Sequence, residues 1–300
     1  QQIGMFVIYI ITGVILIRTK VLTRENLEII SKVVIKLSLP VMIFINTVNG
    51  VDRQSFFSSL SILGIAAVMY VCLLILGTLS GKVFHGEHLQ LYRAMTVFGN
   101  VGFMGIPIVV SIYPEKGMLY MAVFTIIDQL MLWTLGVKLT SSEKESGTFN
   151  PKKLINPVTV AIILAMICVL TGIRIPLVLN TALQKMGATA TPLAMIYLGG
   201  VFACIDVLSF VKKPDYYGIT LIKMIGFPVL FYILLRLVPI PADIRMTMAL
   251  TSAMPVMSSV VMMANASGSD GDYAMGGIVV TTLCSVLTLP VVSWIFQALG

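Results

Sequence analysis

Asp128, followed directly by Gln129, stands in the apolar run FTIIDQLMLW. A carboxylate at the centre of a membrane helix costs about 2.5–3.5 kcal/mol on insertion scales, so it turns toward protein or water and has work to do. Two kinds of work fit: a site for a proton or cation, or a hydrogen bond or ion pair tying helices together. The basic partners for such a pair are Lys36 and Lys223, both also inside apolar runs. Either lysine can attract an anion or snorkel its ammonium to the cytoplasmic surface, and snorkelling is the expectation. A second concentration of polarity is GNVGFMGIP (99–107), where Asn100 is surrounded by Gly99, Gly102, Gly105 and Pro107. A third is TSAMPVMSS (251–259), where Ser258 and Ser259 place hydroxyls beside Pro255. An amide and two hydroxyls in such a setting can donate to or accept from a solute, and Asn46 with Thr47 is a further candidate for lining the same space.

Other chemistry is poorly supported. His85, Glu87 and His88 form HGEH in a short loop with no further ligand spacing, which reads as a solvated loop and not as a metal site. Cys72, Cys168, Cys204 and Cys284 are scattered through apolar runs without a CxxC or Cys/His spacing, so they read as small core residues. Motifs of the GxSxG, HExxH, Walker A and dinucleotide type do not occur. No enzyme, cofactor or metal is expected, and active movement of a solute would draw on an ion gradient or the membrane potential.

The elements that hold these residues are set by composition. Hydrophobic residues make up 58% of the 300, and charged ones only 11%, against about 25% in soluble domains. Long continuous apolar runs, without the alternation of a barrel strand, fall at about 3–18, 25–48, 56–80, 90–112, 117–138, 154–173, 179–208, 216–238, 243–265 and 272–298. With about 20 residues needed per span, the chain reads as an all-α polytopic membrane protein with ten transmembrane helices. Gly4–Ile17 leads into basic residues with no small-residue cleavage site, so it reads as a span and not a cleavable signal, and native residues are expected before Gln1. Asn156-Pro157 suits an N-cap and first helical residue at the start of span six.

The net charge of +7 comes from basic residues between spans, not from one basic face, which argues against nucleic acid and for topogenic, lipid-facing charge. Arg53, Lys116, Arg174, Lys185, Arg236 and Arg245 occupy one set of loops, and about twice as many Lys and Arg occupy the other. The positive-inside rule then puts both termini outside and the central linker in the cytoplasm, with the plasma (inner) membrane as the expected location. That linker, within KLTSSEKESGTFNPKK (138–153), divides the chain into residues 1–140, 141–153 and 154–300.

The two outer parts look alike. Pro40 and Pro107 are 67 positions apart, Pro192 and Pro255 are 63 apart, and spans one and six share a Thr-Gly step. Five spans per part force the second copy to enter the membrane from the opposite side, giving two inverted five-helix repeats with broken helices four and nine in equivalent places. Broken backbone is tolerable at membrane depth only where it faces protein or a water-filled cavity. The half-helix N-termini there offer about half a positive charge each to an anion.

LSLP (37–40), NVGFMGIP (100–107), NPVT (156–159), ATPLAMIYLGG (190–200) and AMP (253–255), in this order across both halves, resemble the auxin efflux carrier family, which includes plant PIN-FORMED proteins and bacterial malate permease-type transporters. The resemblance implies an architecture similar to that of bile acid:sodium symporters, a crossing of helices four and nine at Pro107 and Pro255, substrate beside it with Asn100 as the contacting amide, and a homodimer. Two departures stand out. The linker lacks the long regulatory loop of plant members, and the second break, Ala-Met-Pro-Val-Met-Ser-Ser, lacks both their polar amide and the acidic ligands of sodium symporters.

The expected function is a secondary carrier of a small organic anion, a carboxylate such as malate or an auxin-like acid, working in the lipid bilayer by alternating access. Asn100, Gly102, Gly105, Pro107, Met254, Pro255, Ser258, Ser259 and Asn46 would bind it, with Met104, Met254 and Met257 against its apolar part. Asp128 with Gln129 would couple protons. Competing expectations are a membrane ligand sensor using the same crossing, a channel and a sodium-coupled bile acid-type symporter.

Overall fold

Backbone N–H and C=O groups in lipid must find partners within the protein, and among the described residues the apolar stretches are mainly helical. The computed structural model describes residues 2–50, 53, 57, 59–84, 88–114, 116–141 and 157–299. Asn156, His85, Glu87 and the linker beyond Ser141 lie outside the described residues. Helix α1 is Gln2–Arg18, and α2 runs without interruption through Arg24–Val33, Val34–Ser38 and Leu39–Gly50. Ser61–Phe84 is α3. The fourth stretch is split into α4 (Leu89–Val97) and α5 (Val101–Ile112). Then follow α6 (Gly117–Thr140), α7 (Pro157–Thr171), α8 (Leu177–Cys204) and α9 (Asp215–Leu235). The ninth stretch is split again, into α10 (Ala242–Ser252) and α11 (Ser258–Ala266), before α12 (Gly271–Leu299). Among them α3, α6, α8, α9 and α12 are long and apolar enough to cross a membrane, and α1, α5 and α7 are shorter apolar helices.

Proline explains where several of these helices widen. It removes one backbone donor and its ring pushes against the preceding turn, which an extra residue in that turn relieves. Wide π-type turns at Val34–Ser38, Val101–Gly105 and Thr220–Gly226 are each followed within two residues by a proline: Pro40, Pro107 and Pro228. A fourth, Leu132–Gly136 in α6, contains no proline and ends on a glycine.

The chain forms two compact units, each drawing on both halves of the sequence. The first comprises Gln1–Leu60, Gly102–Ile126 and Lys152–Asp206. Its α1 and α8 pack backbone to backbone: a Cβ on Gly13 would run into the Ile196 carbonyl oxygen, and one on Gly199 into that of Ile10. Small residues at a helix contact take the place of the hydrophobic drive that lipid removes. Polar cross-links join α2 to α8, with the Ser38 and Thr189 hydroxyls 2.9 Å apart and the Asn49 and Asn180 amides bonded reciprocally at 2.8 and 3.2 Å. On α1, Ile8, Ile11 and Ile15 are exposed at helical spacing, the face a lipid-contacting helix presents.

The second unit comprises Ser61–Val101, Ile127–Pro151 and Val207–Gly300. Tyr70, Tyr92, Met95, Phe98, Tyr216 and Phe296 are fully buried in it, and Tyr232 stacks on Phe296 with ring centroids 4.7 Å apart. Both helix interruptions that pair with each other, at 98–100 and 253–257, belong to this unit.

Candidate functional site

Helix α4 ends as Phe98 turns to an extended conformation (φ −94°, ψ 111°), and α10 ends at Ala253. The residues that follow each end leave the helix and pair antiparallel. The Asn100 amide donates to the Pro255 carbonyl at 2.7 Å, the Met257 amide donates to that of Phe98 at 3.2 Å, and Gly99 lies opposite Val256. Each interruption thus satisfies backbone groups of the other, which would otherwise cost several kcal/mol apiece in an apolar medium. A third rung comes from α12: the Val256 amide donates to Thr281 Oγ1 at 3.0 Å, and that hydroxyl donates onward to Gly277 at 2.6 Å.

The approach of the two breaks leaves little room beside Gly99. A Cβ on Gly99 would lie 3.1 Å from Met254 Cβ and 3.3 Å from the Met254 carbonyl oxygen. Asn100 is 1% exposed, and its Oδ1 is among the buried side-chain atoms with no hydrogen-bond partner. Met254, Pro255 and Met257 are buried beside it, and Ser258 and Ser259, half-buried, open α11, whose N-cap Met257 offers no side-chain cap.

Asp128 lies in the same unit, 3% exposed. Its carboxylate accepts the Tyr70 hydroxyl and, at 3.1 Å, the Gln129 side-chain amide, whose oxygen accepts the Trp133 indole N–H at 3.2 Å. The Tyr70 ring leans on Phe98 with centroids 6.0 Å apart, so this chain of hydrogen bonds abuts the break in α4. Lys223, on the wide turn of α9, is 1% exposed. Its ammonium donates to the Thr96 carbonyl in the last turn of α4 at 2.7 Å and feels the opposite charge of Asp128. A cation at a helix C-terminus meets unpaired carbonyls and the negative end of the dipole.

Sequence-based expectation and structure differ at two points. The fourth helix breaks at Phe98–Asn100, not at Pro107, which sits in the first turn of the regular helix after the wide turn. The close approach of Gly99 to Met254 marks the break, while the proline follows the wide turn of α5. Lys223 does not snorkel, because Thr96 and Asp128 give its charge partners in the interior; Lys36 is exposed. Gly102, Gly105, Pro107 and the half-buried Asn46 are assigned to the first unit, and the paired breaks at 98–100 and 253–257 to the second. Tyr70, Thr96, Trp133 and Thr281 went unnoticed in the sequence, because one tyrosine or threonine in an apolar run carries no spacing signal. His88, the described member of HGEH, has its Nε2 3.8 Å from an Asp270 oxygen and stacks on Tyr273 with centroids 4.4 Å apart.

A family model described as membrane transport protein matches residues 3–293. An uncharacterized transporter of Methanocaldococcus jannaschii is 23% identical over 297 residues, covering 92% of this chain and 91% of its own. With apolar helices throughout and a match over nearly its whole length, this chain is an integral membrane transporter and belongs to the membrane transport protein family, that of the auxin efflux carriers.

Proposed function

We propose that the paired breaks bind a small organic anion of the carboxylate class and that the protein carries it by alternating access as a secondary transporter. The observation that carries this reading is Asn100, a buried amide on a helix break whose Oδ1 has no hydrogen-bond partner. An unpaired buried polar atom costs about 1–3 kcal/mol, and a ligand that completes its bonding recovers that energy. The amide can donate its NH2 to a carboxylate, and its oxygen can accept a substrate hydroxyl or acid proton. The N-terminus of α11, with Ser258 and Ser259, favours negative charge in the same unit. Met254, Pro255 and Met257 supply apolar, adaptable surface for the rest of the molecule. Asp128, held by Tyr70 and Gln129, is the candidate for proton coupling.

The test is charge movement in proteoliposomes challenged with malate, indole-3-acetate and other small carboxylates, with and without a pH gradient. A substrate-specific current that Asn100→Ala abolishes is the expected result. A current indifferent to Asn100 would put binding elsewhere, and ligand-induced thermal stabilisation without flux would make the protein a sensor.

A further inference from the structure

Lys223 has no part in that reading, yet its charge is buried in the second unit, 1% exposed. Burying an ammonium is unfavourable unless acceptors and opposite charge surround it. Three features do so. The Thr96 carbonyl accepts from Nζ at 2.7 Å; the C-terminal end of α4, carrying about half a negative charge, points at it; and Asp128 of α6 supplies a full one. A Cβ on Gly99 would lie 3.7 Å from Nζ, which sets the ammonium directly beside the paired breaks. The wide turn Thr220–Gly226 in α9 is the local device that carries the side chain, and Pro228 accounts for that turn.

A helix C-terminus with an accepting carbonyl, and with a buried carboxylate near enough for its charge to be felt, is a pole that gathers a small cation. We propose that Lys223 is this pole's own cation: its tethered ammonium fills the place that a sodium or potassium ion from solution would otherwise take, so the crossing is complete without a bound metal ion. Resting on the crossing as the transport site, the proposal adds that sodium neither binds there nor drives the anion. It also gives the lysine a positioning role, holding the end of α4 in register with Met254–Met257.

The decisive measurement is the thermal midpoint of the purified protein in detergent, titrated with sodium, potassium and ethylammonium chloride against N-methylglucamine chloride at constant ionic strength. Wild type is expected to show no cation-specific shift. Lys223→Ala, with its ammonium removed and space left behind, is expected to melt at least about 5 °C lower and to regain much of that loss with sodium or ethylammonium. Lys223→Arg, which keeps the charge, should melt nearer wild type than Lys223→Ala. Saturable stabilisation of wild type by sodium overturns the proposal, as does a Lys223→Ala loss that no cation repairs, or no loss at all. Should Lys223→Ala fail to fold, the wild-type titration decides alone: a sodium-specific shift refutes the tethered cation and indifference supports it. None of these readouts involves flux, so a wrong assignment of the anion site would appear separately, as an Asn100→Ala protein that still transports.

Discussion

Gly99 and Gly102 stand three positions apart in one motif and answer to different demands. A methyl at Gly99 would meet the Met254 backbone and side chain at 3.1–3.3 Å, whereas one at Gly102 would touch only Leu39 Cδ1 at 3.6 Å, an ordinary contact. Gly99→Ala should therefore cost about 1–3 kcal/mol by forcing the paired breaks apart. Gly102→Ala, at a helical position, should be neutral or stabilise by up to about 1 kcal/mol. Thermal melts of the two variants in detergent check this, and equal losses would refute the distinction. The sequence marked both glycines alike, because a motif shows where small residues stand but not which of them another segment crowds. Asn100 and Asp128 were legible for a simpler reason: polar groups in apolar runs announce themselves. Lys223 announced itself too, but snorkelling and burial differ only through partners that lie elsewhere in the chain, Thr96 and Asp128.

Among the elements, α12 acts as the clasp on the second break, since Thr281 accepts the Val256 amide. Thr281→Val keeps the shape and removes the acceptor, leaving a buried N–H unpaired at a cost of about 1–3 kcal/mol. Thr281→Ser should retain most of the stability. If the valine variant melts with the serine variant, the third rung carries no weight. Helix positions were readable from hydropathy because lipid leaves the backbone no other choice, and the interruptions were readable from glycine and proline. The pairing was not. Which residues of 98–100 meet which of 255–257 depends on how α4 and α10 are packed, and proline pointed to Pro107 when the break itself lies at Phe98–Asn100.

At the scale of the molecule, each compact unit has its own packing and should respond to damage by itself. Gly199→Val drives a side chain into the Ile10 carbonyl and must separate α1 from α8 within the first unit. The four half-buried cysteines report on this, with Cys168 and Cys204 in the first unit and Cys72 and Cys284 in the second. Maleimide labelling followed by peptide mass spectrometry should run several-fold faster at Cys168 and Cys204 and be unchanged at the other two. Equal acceleration at all four would mean that the units melt together. The antiparallel bridge has a consequence for biogenesis as well. Gly99 and Val256 are 157 residues apart in sequence, and at about 5–20 residues per second the ribosome needs roughly 8–30 s to make the second after the first. Through that interval the gap between α4 and α5 lacks the backbone partners it has in the finished protein. The nascent fourth span must wait beside water, the insertion machinery or another polar escort until α10 arrives, so the step that commits this protein to its fold comes late in its synthesis.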